Sequence, residues 1–442
     1  MLHYRACFIL THMFTITNIH AREILDSRGT PTLEVEVSLQ GGFLGRAGIP
    51  SGASTGIYEA HELRDGVTTR YRGKGVQQVV YTVVHEIRDA LMGKALDQKG
   101  LDSALCMLDG TAQKEKLGAN AILGVSLAFA HAAALATQQP LYEYMRGLIA
   151  DVHGYILPVP LMNVLNGGAH APRTIDIQEI MLVPAGAPSF AESLRCGAEI
   201  FYALRDELKK QNLSTGVGDE GGFAVPFASN QHALDTLCSA VTSAGYRLGI
   251  DVFFALDVAA SQLYKDGVYT FVTDNKTYTA TELVHWYESL VSQYPIVSIE
   301  DGLAEDDWDG FILLTQKLGD KIQIVGDDLF VTNKTRLQEG ITRGAANTIL
   351  IKPNQIGTIS EMVETMELAR THHITTILSH RSGETEDTTI ADMAVGLGAH
   401  QIKTGSVSRG ERIAKYNQLL RIEESLGTRG SFASKKAFPR IP

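Results

Sequence analysis

The sequence predicts an α/β chain in which a small α+β domain precedes a (β/α)8 barrel. Three observations predict it. Alternating strand-like and then helical patterns fill the first third of the chain, and short apolar runs separated by helical stretches fill the rest. Most of those later runs end on a charged side chain, at intervals close to one βα unit.

Along the chain, Met1–His12 reads as an extension, with Met13 opening the folded part. Its apolar run, Ala6-Cys7-Phe8-Ile9-Leu10, is shorter than the core of a signal peptide. Leu33, Val35, Val37 and Leu39 then alternate with Glu34, Glu36 and Ser38, the period of a half-buried strand. Gly41-Gly42 marks a hairpin turn into a second strand at Phe43–Arg46. VQQVVYTVVHEIRDALM (76–92) and ANAILGVSLAFAHAAALA (119–136) read as helices. The second is rich in small residues and carries Asn120, Ser126 and His131, so a packed core helix is expected rather than a membrane span.

Pro158 and Pro160 mark a boundary, giving units at 1–12, 13–150 and 151–442. Beyond it the apolar runs are 175–184, 252–258, 295–301, 321–328, 348–354, 374–380 and 401–405. From Asp257 onward their terminal charges are Asp257, Glu300, Asp327, Lys352, His380 and Lys403, with steps of 43, 27, 25, 28 and 23 residues. A barrel of ~250 residues needs roughly 30 per unit. In such barrels the C-terminal strand ends form one mouth, where the chemistry sits.

Composition narrows the function. A net charge of −11 argues against nucleic acid as the main ligand, because neutralising phosphates needs a basic face. Cys7, Cys106, Cys196 and Cys238 are dispersed without a CxxC pair, which points to a reducing cytoplasm rather than a disulfide framework.

Each terminal charge has a plain explanation when taken alone. Asp257 or Asp327 could cap a helix, one acid of Glu300-Asp301 could face water, and Lys352 or Lys403 could snorkel. Together they do not stay plain. Three carboxylates gathered in one mouth repel unless a cation sits among them, and hard oxygen donors suit Mg2+. Lysines beside that metal are expected to have depressed pKa values, so Lys352 becomes a candidate general base for an α-proton. In GVGDEGGF (216–223), Glu220 sits between glycines that let the backbone approach a ligand, and is a candidate acid. Glu179 lies in an apolar run and is expected to tune it. PSGASTG (50–56) has the composition of a mobile lid.

These residues resemble one family, the enolases. The motifs are DSRGTPTLEVEV, PSGASTG, NGGAH, QEIMLVP, GDEGGF, ALDVAAS, SIEDGL, VGDDLFVTN, IKPNQIG, SHRSGETEDT and QIKTGSVSRGERIAKYNQLLRIEE, in the family's order from residue 26 to about 425. The resemblance implies a modified barrel that opens ββαα, and a lyase interconverting 2-phospho-D-glycerate and phosphoenolpyruvate in glycolysis. It implies that Lys352 removes the C2 proton, a step metal stabilisation of the enediolate assists. Glu220 would assist loss of the C3 hydroxyl, supported by Glu179 and His170. Two Mg2+ are implied with substrate, the first on Asp257, Glu300 and Asp327 and the second completed by Ser54. Arg381 and Ser382 would grip the phosphate and Lys403 the carboxylate, while Gln178 lines the pocket and His380 closes over it. Glycine after the acids of SIEDG resembles the bacterial form. The family further implies a homodimer or an octamer, and a surface or secreted fraction that binds host proteins.

Two other readings were open on the sequence. An acid-sugar dehydratase or racemase of the same superfamily needs no phosphate grip, so Arg381-Ser382 and the lid count against it. A fold kept only for surface binding is disfavoured because every candidate catalytic position is intact.

Overall fold

The structure, a computed structural model, describes residues 12–52, 56–172 and 174–440. All but the last residue of the extension, together with Ser54 of the lid, lie outside the described residues.

The first domain is an antiparallel meander of β1 (Phe14–Leu25), β2 (Pro31–Leu39) and β3 (Phe43–Gly48), with the two-residue strand Ala95–Leu96 on the far edge of β1. The alternation in β2 is realised: Leu33, Val35, Val37 and Leu39 are buried, and the residues between them less so. The helix expected at 76–92 forms in three pieces, with a π-helical turn at Val83–Ile87.

Helix α1 (Ala119–Ala136) crosses the buried face of this sheet. Its small residues permit close approach, since a Cβ on Gly124 would meet Val35 Cγ2 at 2.5 Å. Among the described residues it is the one helix long and apolar enough to cross a membrane, and 83% of it is packed inside the protein.

The second domain closes into a barrel of eight strands: β4 (Val159–Asn166), β5 (Glu179–Val183), β6 (Phe253–Asp257), β7 (Ile296–Glu300), β8 (Gln323–Gly326), β9 (Thr348–Ile351), β10 (Thr375–Ser379) and β11 (Gln401–Lys403). Pairing of β11 with β4 completes the ring. Strand β5 is antiparallel to both β4 and β6, and the helices Phe190–Lys210 (α2) and Asn230–Ser243 (α3) follow it, so the barrel opens ββαα. From β6 to β11 every pairing is parallel.

The barrel interior explains where the charges fall. Met181, Val183, Phe253, Ala255, Val297, Val325, Leu350 and Ile377 form one inner apolar cluster. Side chains alternate across a strand, so Glu179, Asp257, Asp327 and Lys352 share the inward face of Met181, Ala255, Val325 and Leu350 respectively, one step nearer the rim. Phe438, Ala433 and Ala437 close the other end of this cluster. Gln401 Nε2 donates to Ala437 O (2.9 Å) and Ser434 Oγ to Ala185 O (2.8 Å), fixing the closing segment.

Candidate active site

Strand register assembles the rim. Asp257 pairs with Glu179 on one side and with Glu300 on the other, and Lys403 with Ser379. Because β5 runs antiparallel to its neighbours, its first residue lies beside their last residues, Asn166 and Asp257. Lys352 follows β9 directly, and Pro353 starts a short helix there, which ends the ladder as its missing donor requires. Of the candidates in the described residues, His170, Gln178, Glu179, Glu220, Asp257, Asp327, Lys352, His380, Arg381, Ser382 and Lys403 line one cavity. Glu300 lies beside it, against Lys403.

Ionic pairing organises this cavity. Lys403 Nζ donates to Asp257 Oδ2 at 2.7 Å and to Glu300 Oε1 at 2.8 Å, and stands 3.4 Å from Glu179. Lys352 Nζ donates to Asp327, whose other oxygen accepts from Gln355 Nε2 at 2.9 Å. The depression expected of the lysine pKa values presumes a bound cation; with the carboxylates facing the lysines directly, the balance runs the other way. Burial does lower both, but the carboxylates outweigh it: Asp327 raises Lys352, and Asp257, Glu179 and Glu300 raise Lys403 well above the ordinary range. Both amines are held as ammonium ions in this arrangement. Asp327 is correspondingly lowered, since Lys352 reverses the effect of burial.

The plain reading of Glu300-Asp301 as half-exposed also fails, because both are buried. Asp301 accepts the backbone N–H groups of Asp327 (2.9 Å) and Asp328 (2.8 Å). Asp328 is pushed up to about 8 by burial and by the Asp327 carboxylate.

A second cluster faces Lys352. In an eight-strand ring β5 and β9 are four strands apart, so Glu179 and Lys352 stand on opposite walls. Beside Glu179, His170 Nδ1 lies 3.5 Å from Glu179 Oε1 and 3.6 Å from Glu220 Oε1. Asn163 Nδ2 donates to Glu220 Oε2 at 2.9 Å, and His380 Nε2 lies 3.5 Å from the same oxygen. Two buried carboxyls this close titrate as a unit. Burial and then the neighbouring Glu220 raise Glu179 well above the carboxylate range. Burial would raise Glu220 too, but His170, a hydrogen bond from His380, and Arg412 more than reverse it. His380 is lowered to about 4 by burial, despite Glu220, so its ring is neutral.

Arg381 is paired with a residue the sequence did not single out. It donates to Glu59 of the first domain (Nη1–Oε2 2.9 Å, Nη2–Oε1 3.1 Å) and to Asn354 Oδ1 (3.1 Å). Ser382 Oγ is 3.1 Å from His170 Nε2, and Gln178 Nε2 donates weakly to Asp257 at 3.4 Å. Glu59, Asn163 and Gln355 were missed because none ends an apolar run, and Asp301, which closes the run 295–301, was read only as the neighbour of Glu300; a polar residue inside a run, Asn163 in PLMNVLN, was the available signal.

Residues that could hold a hard cation are present. Among the described residues, two trios bring one ligand atom each within 4.8 Å of one another: His170, Glu179 and Glu220, and Asp301, Asp327 and Asp328. The trio expected from sequence is arranged differently, with Asp257 and Glu300 joined through Lys403 and Asp327 on Lys352. Its carboxyls still act on each other, since burial and then Asp257 raise Glu300. Glu300 Oε2 is buried without a hydrogen-bond partner. An unsatisfied carboxylate oxygen in an all-oxygen set fits a divalent cation of the magnesium class.

Comparison with known families agrees with this architecture. A family model described as the enolase N-terminal domain matches residues 16–145, and one described as the enolase C-terminal TIM barrel domain matches residues 154–441. With both domains matched in order over nearly the whole length, the chain belongs to the enolase family, whose members are lyases.

Proposed function

We propose that this protein is a phosphopyruvate hydratase, reversibly dehydrating 2-phospho-D-glycerate to phosphoenolpyruvate. The observation that carries the reading is the opposition of Lys352 to the Glu179–His170–Glu220 cluster across one barrel mouth. A β-elimination needs a base on one face of the substrate and an acid on the other.

In this reading Lys352 Nζ takes the C2 proton, and Glu220 assists departure of the C3 hydroxyl with the proton shared through His170 and Glu179. Lys403 binds the substrate carboxylate, Arg381 and Ser382 bind the phosphate, and Gln178 and His380 shape the wall. The guanidinium fork suits a phosphate as it suits the Glu59 carboxylate it now holds. Asp257, Glu300 and Asp327 would hold one Mg2+, and Ser54 would help hold a second. When bound, magnesium would supply positive charge at the rim, satisfying the carboxylates that now keep the lysines protonated and offsetting charge that builds on the substrate. Desolvation and the nearby cations Arg381 and Lys403 act to lower Lys352, and Asp327 together with Glu300 outweighs them.

The proposal extends to a cytoplasmic, bacterial-type member working as a homodimer or octamer, with any surface display toward host proteins additional to catalysis. Gly302, the bacterial-type residue, sits where a Cβ would meet Ile299 Cγ2 at 3.0 Å and Leu314 Cδ2 at 3.1 Å. The test is direct. Purified protein given Mg2+ and 2-phosphoglycerate generates the ultraviolet absorbance of phosphoenolpyruvate, and no turnover at saturating Mg2+ overturns the proposal.

A further inference from the structure

Helix α4 (Gly410–Leu426) begins beside this cluster and sends one fully buried arginine back into it. Arg412 Nη1 lies 2.6 Å from His380 Nδ1 and donates to Arg381 O at 2.7 Å. Its Nη2 donates to Ser382 O at 2.5 Å and to Asp219 O at 3.3 Å. One guanidinium thus ties the SHRSG segment to the GDEGG loop.

We infer that Arg412 is a positioning residue that fixes the proton of His380 on Nε2 and so aims a neutral N–H donor at Glu220. A guanidinium has donors only, so the imidazole nitrogen facing it must accept. In a neutral ring the proton then sits on the other nitrogen, and His380 Nε2 is the one 3.5 Å from Glu220 Oε2. The ring is packed against turning over, because the side chain is buried. Glycine at 405 leaves room for the arginine stem, where a Cβ would meet Arg412 Cδ at 2.7 Å. The consequence for catalysis rests on the proposed function, because it concerns the acid of that reaction. The hydrogen-bond assignment does not.

The experiment is nitrogen NMR of the full chain labelled with 15N-histidine, with His380 assigned by the signal lost in His380→Gln. At neutral pH and without substrate, the wild-type ring shows a protonated Nε2 and a bare Nδ1. A proton on Nδ1, or on both nitrogens, overturns the inference. Arg412→Met removes the donors, and an Nδ1–H population appears; an unchanged ring in a folded Arg412→Met protein overturns it as well. Arg412→Lys keeps a cationic donor and retains the wild-type signature, and its loss there counts against the assignment. Where Arg412→Met does not fold, wild type and Arg412→Lys decide. A merely structural arginine would not move the ring proton. In turnover, Arg412→Met lowers kcat by about tenfold or more, as for impaired acid–base catalysis. A chain that shows the ring signature but does not turn over 2-phosphoglycerate loses the proposed function alone; one that turns over with Nδ1 protonated loses this inference alone.

Discussion

Glu179 and Asp257 are direct cross-strand partners, although one opens its strand and the other closes it. Only the reversed direction of β5 makes that possible. In an all-parallel barrel the start of a strand would lie at the opposite mouth, and Glu179 would be remote from Lys403, Glu220 and His170. The ββαα opening is therefore what delivers an acidic wall opposite Lys352.

The two walls can be separated by isotope exchange. Lys352→Ala should abolish exchange of the substrate C2 hydrogen with solvent, together with turnover, by on the order of 10² to 10⁴-fold. Glu220→Gln should block formation of phosphoenolpyruvate while leaving measurable C2 exchange by proton NMR in D2O. Equal loss of both signals in the two variants would contradict the division of roles.

Metal dependence should follow the carboxylates. Chelation by EDTA should abolish turnover and Mg2+ should restore it. Glu300→Gln should weaken Mg2+ binding in titration calorimetry by about tenfold or more, a typical scale for disturbing a metal site. Unchanged affinity in that variant would remove Glu300 from the proposed ligand set.

Much of this was legible in the sequence. Period-two alternation gave β2, and branched apolar runs ending on charge gave barrel strands β6 to β11 and their part of the rim, because inward positions on a parallel strand stay in register with the mouth. What was not legible depends on closure of the ring. Lys403 lies in the last barrel strand, yet it meets carboxylates from β6 and β7, and that contact inverts the expected direction of its pKa. Glu59 comes from the other domain and Arg412 from a helix after the last strand, so no local pattern marks either.

Stability should carry a pH signature from a site far from the catalytic mouth. Asp102 is buried at the contact between the domains, where Ser360 donates to it from N (2.9 Å) and Oγ (2.6 Å) and Gln98 from Nε2 (3.2 Å). Burial pushes its carboxyl up to about 6 from an ordinary 3.8. The folded state then holds the proton more tightly, so this contribution is complete below pH 3.8 and is lost as pH rises through about 6. The full shift corresponds to about 3 kcal/mol. Asp102→Asn, whose amide can face a turned Gln98, should gain on wild type between pH 5 and pH 8 in thermal denaturation. A constant difference between the two proteins across that range would refute the assignment.

Gly405 has φ +77° and its backbone lies against Arg412 and the Glu220 carbonyl. Gly405→Ala should lower stability by about 2 kcal/mol or more, from a left-handed alanine and a displaced arginine stem. Chemical denaturation would measure it, and a loss below about 0.5 kcal/mol would show that the site relaxes around the methyl group.

The stopper formed by Phe438 and its neighbours under the barrel has a consequence for traffic. With the base closed among the described residues, whatever reacts inside arrives and departs past the mouth, where Glu59 of the first domain meets Arg381. Departure of one molecule and arrival of the next then compete for one passage.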